Sequence, residues 1–375
     1  MKVLHVNFVP EQLLGVKRKI YGQIEALRAN GHTVVVGQYN NEGYSFGEEQ
    51  IFSLRTKNRF FRKLLEVFIM LRLLRKINFD FDYIYIRYMR LTPWFFMFLR
   101  ALGNKGARVI IEVPTYPYDK EYRKDGLYYS DIFFRRYLHK YVLGVTYVGA
   151  KFQSVWGMPA LDIHNGIDIE NLKLSNANRK SKGADKDVNF IGVANLSDWH
   201  GYDRFIMSMS ILDRKVLARV KFHIVGDGEV LGYLQGLVQA LNLTENVIFY
   251  GNRSGEDLDS IFEYCQIGVA SLGLYRIGHE FITPLKPAEY TARGLPFILA
   301  NADERFFDVS FKYQIENNGS NFNIKDILDW YYSLNCDPCY LRDYAIEHLS
   351  WENQMKKIDD FYNHLITEVP FGDNK

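Results

Sequence analysis

Strand-length apolar runs alternate with helical stretches twice along this chain, and a polar stretch divides the two series. Residues 2–9 (KVLHVNFV) have the continuous apolar character of a buried strand. Residues 16–30 place Ile20, Ile24 and Leu27 on one helical face, with Gly31 as the C-cap. Residues 32–38 (HTVVVGQ) read as the next strand. Strand, helix and strand in that order call for a right-handed parallel crossover. Residues 83–88 and 108–113 predict further strands, 132–143 a helix and 145–148 a short strand. Residues 171–187 (NLKLSNANRKSKGADKD) nearly lack large apolar side chains, which marks a linker. Strands are expected again at 188–194, 220–225, 247–250, 267–272 and 296–300, with a last helix over 351–369.

A length of 375 residues suits two α/β domains better than one or three. The expected fold is therefore α/β, with two doubly wound, Rossmann-like domains at 1–170 and 188–350. Ligands in such sheets bind beyond the carboxyl ends of the strands, so two facing sheets would make a cleft. Charge narrows the function. Lys and Arg total 46 against 44 Asp and Glu, a balance that argues against a nucleic-acid partner. Three cysteines cannot build a four-ligand zinc site, and Cys336 and Cys339 read as incidental thiols in a loop. The start (MKVLHVNFVPEQ) enters a strand without a signal-peptide layout, and no apolar run has the length of a membrane span. A cytoplasmic location is the expectation.

Residues 281–300 (FITPLKPAEYTARGLPFILA) carry the most chemistry. Glu289 lies in a short helical run that Gly294 ends, before an apolar strand. A carboxylate there can accept both hydroxyls of a ribose, and peptide N–H groups at the helix start can hold a diphosphate. A buried helix–strand turn of any α/β protein would look similar. The pattern Pro284-Leu285-Lys286-x-x-Glu289 resembles the nucleotide-sugar segment of family 4 retaining glycosyltransferases of the GT-B fold, and the run from Ile111 to Glu121 looks like the variant found in capsule and surface-polysaccharide transferases. The resemblance covers nearly the whole chain and is strongest over 188–300. It implies that the first domain binds the acceptor and the second the nucleotide-sugar. It also implies that the last helix, 351–375, crosses back onto the first domain.

The resemblance further assigns residues. Family members have paired glycines after the first strand, where this chain has only Gly15, after Leu14. The run from Ile111 to Glu121 leaves a strand with Glu112, Tyr116, Tyr118 and Asp119 as candidate sugar or acceptor contacts. Asn165-Gly166-Ile167-Asp168 resembles the family's end of the first domain. Gly192 and Asn195 fall in the donor loop, but Val193 and His200 stand where relatives carry the Arg and Lys that neutralise the diphosphate. His200 could take over that task if protonated, or could cap a helix. Gly226 and Gly228 belong to the glycine-rich turn after a strand, and Asn252 and Arg253 lie where the base would sit. Of the family's two spaced glutamates Glu289 matches the second; Phe281 occupies the first position, with Glu280 one place early. Lys286 is then the cation expected at the diphosphate, and Lys286, His200 and Glu112 are the candidate catalytic groups.

Breaking a sugar–phosphate bond builds negative charge on the diphosphate, which helix N-termini and protein cations stabilise without a cofactor or metal. Asp80-Phe81-Asp82 matches the metal-binding Asp-x-Asp of the other glycosyltransferase fold, yet sits at a strand entrance in a doubly wound domain. The expected reaction is retaining transfer from a nucleotide diphosphate sugar, most simply a UDP-sugar, to a glycan or lipid-linked acceptor. Rivals are a nucleotide-sugar epimerase and a non-catalytic binding module; a dehydrogenase would need Gly-x-Gly-x-x-Gly after the first strand. Residues 55–76 (RTKNRFFRKLLEVFIMLRLLRK) interleave Arg55, Lys57, Arg59, Arg62, Lys63, Arg72, Arg75 and Lys76 with apolar residues at helical spacing. Such a helix suits an anionic membrane surface on the inner face of the cell membrane, or a core helix with a solvated basic face.

Overall fold

The computed structural model describes residues 1–53, 59–117, 124–149, 151–175, 186–278, 284–335 and 337–368, without the side chains of Leu14 and residues 59–63. The chain divides into two compact units, Met1–Gly166 with Trp351–Lys375, and Ile167–Ser350.

Among its described residues the first unit holds nine strands: β1 (Lys2–Val6), β2 (Thr33–Asn40), β3 (Gly43–Phe46), β4 (Glu49–Phe52), β5 (Tyr83–Arg87), β6 (Val109–Tyr116), β7 (Gly144–Gly149), β8 (Ser154–Val155) and β9 (Met158–Asp162). Its described helices are α1 (Leu14–Ala29), α2 (Arg59–Lys76), α3 (Pro93–Asn104) and α4 (Gly126–Arg135). The sheet order is β4-β3-β2-β1-β5-β6-β7-β9-β8, parallel from β2 to β9. The order reverses between β1 and β5, as a doubly wound sheet requires. Val3, Leu4, Ile84, Ile86, Val109 and Ile111 are sealed from water on its two faces, each such side chain contributing roughly 1.5–3 kcal/mol.

Three differences from the sequence reading have local causes. The β3–β4 hairpin is absent from that reading because GYSF and EQIF show no clean alternation. The helix expected over 132–143 begins earlier, where Asp125 accepts a hydrogen bond from the Tyr128 N–H as N-cap, and gives way to a 3-10 turn at Leu138–Lys140. Asp80 and Asp82 hold Lys2, through its ammonium and its backbone N–H, so the Asp-x-Asp pair ties the start of β1.

The second unit holds β10 (Val188–Val193), β11 (Val220–Val225), β12 (Val247–Phe249), β13 (Ile267–Val269), β14 (Phe297–Leu299) and β15 (Lys312–Gln314). Its helices are α5 (Tyr202–Ser210), α6 (Arg214–Leu217), α7 (Leu231–Ala240), α8 (Gly255–Phe262), α9 (Leu285–Ala292), α10 (Ile324–Ser333) and α11 (Pro338–Leu349). The sheet is wholly parallel, in the order β12-β11-β10-β13-β14-β15. Its reversal falls between β10 and β13. A final helix, α12 (Trp351–Glu368), returns to the first unit. There Trp351, Met355, Ile358, Tyr362 and Leu365 pack with Val3, Ala26, Leu27 and Tyr85. Cys339 lies in the first turn of α11, its N–H donating to Asp337, while Cys336 lies outside the described residues.

Candidate functional site in the second unit

The reversal between β10 and β13 is where this topology opens a crevice at the strands' carboxyl ends. The loops that leave those two strands are stitched together. The Leu272 N–H donates to the His200 carbonyl at 2.9 Å. Arg276 donates to Asp198 at 2.8 Å and to both carboxylate oxygens of Asp203 at 3.0 and 2.7 Å. Buried Arg204 is spent on the carbonyls of Leu272, Glu316 and Ser320. It holds the floor rather than facing a ligand.

The glycines of this region are explained by close approach. A Cβ on Gly226 would lie 1.7 Å from the Ala194 carbonyl oxygen, and its φ of +129° excludes an ordinary side chain. On Gly228 a Cβ would meet the Leu196 oxygen at 2.3 Å, and on Gly192 the Tyr202 ring at 2.6 Å. These three therefore seat the turn after β11 and helix α5 against the loop after β10. Asn195 is exposed in that loop, and Asn252 and Arg253 are exposed after β12.

Helix α9 brings the motif to the crevice. Pro284 is its N-cap residue and Leu285 its exposed first residue. Arg305 fixes this end by donating to the Pro284 carbonyl at 2.6 Å, itself held by Asp303. Tyr290 ties α9 to the sheet: its hydroxyl accepts from the Val193 N–H at 3.3 Å and donates to the Val269 carbonyl at 3.1 Å. Glu289 accepts from Arg293 Nε at 3.0 Å, and Arg293 also grips Asp259 at 2.6 Å. The carboxylate is thus oriented by a buried guanidinium.

Lys286 is the informative group. Its Nζ is closed off from water and has no hydrogen-bond partner among the described residues. It lies 5.3 Å from the centre of the Trp199 ring and 6.0 Å from that of Tyr202. Burial lowers its pKa from 10.5 to about 7, against the opposing pull of Glu289. Two further buried donors near the ends of β13 and β14, Ser271 Oγ and Arg305 Nη1, also lack a partner among the described residues. Buried donors are normally satisfied. Three donors left open in one region suit an anionic ligand.

His200 takes the capping alternative. Its Nδ1 accepts from the Ser197 N–H at 3.0 Å, its ring centre lies 3.7 Å from that of Trp199 with the rings tilted by 34°, and burial together with Lys286 lowers its pKa to about 3. The imidazole is neutral in this arrangement, so the expectation of a protonated His200 gives way to a loop cap. Glu112 also needs correction as a catalytic group. It is fully buried in the middle of β6, where Arg87 and Lys19 approach one oxygen at 2.8 and 3.1 Å and Gln23 donates to the other at 3.0 Å. Burial alone would raise its pKa; Lys19, Arg87 and Gln23 outweigh it and hold the value at about 2. The carboxylate is an ionised structural anchor within the first unit. Gly15 is exposed near the start of α1 with open space where a Cβ would be. Tyr116 packs edge-on against Tyr147, Phe152 and Trp156. Tyr118, Asp119, Glu280 and Phe281 lie outside the described residues. Sequence reasoning missed Trp199, Tyr290, Arg293 and Arg305; an aromatic beside His200 and an Arg four residues after Glu289 were the available signals.

Residues 175–310 match the family described as Glycosyl transferases group 1. No curated protein matches the chain by sequence. Solved structures share its fold. A glycosyltransferase from Rickettsia africae ESF-5 is 15% identical, with 98% of this chain and 99% of that chain covered and a TM-score of 0.64. Anabaena Alr3699/HepE, solved in complex with UDP, is 14% identical over 97% of this chain and 100% of that one, with a TM-score of 0.62. The lipopolysaccharide outer core galactosyltransferase WaaB, in its apo form, is 12% identical over 98% and 99%, with a TM-score of 0.62. The fold is GT-B, with Rossmann-like parallel sheets. The group 1 match across the crevice residues supports a glycosyltransferase as the class of enzyme.

Proposed function

We propose that the protein is a retaining glycosyltransferase that moves a sugar from a UDP-sugar to a glycan or lipid-linked acceptor in surface polysaccharide synthesis. The observation that carries this reading is the buried ammonium of Lys286 in the first turn of α9, which has no partner among the described residues. A diphosphate there would satisfy Lys286 and the free N–H groups of the helix start, and would return the lysine to its charged form. Glu289, oriented by Arg293, would take the ribose hydroxyls. The UDP bound to the Anabaena protein and the outer core substrate of the galactosyltransferase support the donor and the pathway.

In this reading the C1–O bond to the diphosphate breaks as the acceptor hydroxyl attacks the same face of the sugar. The leaving phosphate oxygen takes the acceptor's proton. Helix N–H groups and Lys286 stabilise the departing charge, and no metal is required. The enzyme acts in the cytoplasm, with α2 resting on the inner face of the membrane. Among the described residues no helix is long and apolar enough to cross a membrane.

Val193 and the neutral His200, in place of two cations, favour one competing reading, a module that binds UDP without transfer. UDP- and GDP-sugars are screened by calorimetry and then incubated with membrane lipid extract, with products detected by mass. A transferase yields a glycosylated lipid or glycan. UDP binding with no transfer would leave the binding module, and no uptake of any sugar nucleotide would end both readings.

A further inference from the structure

Arg305 is fixed by its contacts and left open at one nitrogen. Its side chain is 2% exposed, and that of its counter-ion Asp303 is fully buried. Nε and Nη2 donate to the two carboxylate oxygens of Asp303 at 3.0 and 2.7 Å. Nη2 also donates to the Pro284 carbonyl at 2.6 Å, and the Tyr344 hydroxyl donates to the Arg305 carbonyl at 2.5 Å. Nη1 has no partner among the described residues. A guanidinium is planar, with its N–H groups in a fixed fork. The Asp303 contact uses the edge between Nε and Nη2. The second Nη2 hydrogen, the one that reaches Pro284, therefore lies on the edge shared with Nη1. The open nitrogen faces the N-terminal end of α9.

A buried guanidinium with an open N–H forfeits a charge-assisted hydrogen bond. Among the described residues the neighbouring guanidiniums are committed: Arg204 to three carbonyls, Arg276 to Asp198 and Asp203, and Arg293 to Glu289 and Asp259. A second open donor lies beside the chain that leads to Arg305. Ser271 is fully buried, its carbonyl accepts from the Ala300 N–H at 3.2 Å, and its Oγ has no partner among the described residues.

Position along α9 sorts the parts of a ligand. Arg305 meets Pro284, five residues before the proposed ribose group Glu289 and so about 7.5 Å away along the helix axis. A nucleotide with its ribose at Glu289, laid towards the helix start, brings its terminal phosphate furthest towards Pro284. Leu285 is exposed at that end.

We infer that Arg305 and Ser271 bind the terminal phosphate of the nucleotide, as a second donor set beside Lys286. The inference rests on the transferase reading, which places the nucleotide on α9, and adds the groups that tell a nucleoside diphosphate from a monophosphate.

The test titrates the full chain with UDP, UMP and uridine by calorimetry. Ser271→Ala removes an unpaired buried donor and should melt at or above the wild-type temperature. It should bind UDP about 3–10-fold more weakly and leave UMP within about twofold. Arg305→Gln should weaken UDP about 10–100-fold, with UMP and uridine again within about twofold. Arg305→Lys, which keeps the counter-charge of Asp303 but loses the fork, should show the same UDP-selective loss and serves where Arg305→Gln folds poorly. A purely structural role predicts otherwise: losing the Pro284 tether would disturb α9 and Glu289 with it, weakening all three ligands alike. That result, or wild-type UDP affinity in Ser271→Ala, would overturn the inference. UDP weakened in Lys286→Met but unchanged in the Ser271 and Arg305 variants would sink this assignment alone. No uptake of UDP by the wild type would sink the transferase reading instead.

Discussion

Replacing Lys286 with Met separates what this lysine costs the fold from what it gives the ligand. Its pKa falls from 10.5 to about 7 because burial penalises the ammonium. At about 1.4 kcal/mol per unit, the drop corresponds to roughly 5 kcal/mol held against folding. The sign follows from proton linkage. Between the two values the unfolded chain binds the proton and the folded chain does not, so stability rises with pH across that window. The penalty is complete below about pH 7 and relieved towards 10.5. Met fills a similar volume with no charge to desolvate. Lys286→Met should therefore melt higher near neutral pH, by about 5–10 °C for a gain of roughly 2–3 kcal/mol, and the gain should shrink at alkaline pH. UDP should bind about 10–100-fold more weakly, the loss of one charge-assisted contact. Calorimetry in buffers of different ionisation enthalpy adds a third readout. Wild-type protein at about pH 8 should take up a fraction of a proton on binding UDP, because the anion recharges Lys286. The variant should take up none. An unchanged melting temperature together with unchanged UDP affinity, or binding to the wild type without proton uptake, would refute the placement of the diphosphate beside Lys286.

Glu289→Ala should weaken UDP by about 1.5–3 kcal/mol in the same titration; wild-type affinity would remove Glu289 from the ribose site. Gly226→Ala should fail to fold or unfold several degrees lower, since its Cβ would lie 1.7 Å from the Ala194 oxygen; a wild-type melt would contradict the packing of the two loops. Glu112→Gln leaves Arg87 and Lys19 without their shared counter-charge and should cost about 3–5 kcal/mol in urea unfolding. The stability that Glu112 confers is present above its ordinary pKa of 4.5 and disappears as pH falls through about 2, so the wild-type advantage over Gln should vanish in strong acid. Changing Arg59, Arg62 and Lys63 to Ser should release the protein from anionic vesicles in a flotation assay; unchanged partition would retire the membrane-facing role of α2.

The parallel strands were legible where a buried strand is a nearly continuous apolar run, as in β5, whose YIYIR is buried throughout. The edges were not. β15 is three residues, KYQ, with none fully buried, and β3 and β4 depend on their hairpin partner rather than on a pattern of their own. In residues 284–289 the residue types alone single out Lys286 and Glu289, and the structure places both on α9. The supports of this segment were not legible, because Tyr290 and Arg305 act through backbone groups distant in sequence, Val193, Val269 and Pro284. Glu112 and His200 show the opposite error. Both have catalytic side-chain types, but tertiary contacts consume the first in an ion cluster and the second in a cap. Spacing alone cannot show whether a carboxylate or an imidazole is already satisfied.

A crystal structure of the protein with UDP is the most direct measurement. The account predicts the diphosphate at the first turn of α9, within hydrogen-bond distance of Lys286 Nζ, with the ribose hydroxyls on Glu289. Nucleotide bound at any other place on the second unit, or on the first, would contradict it.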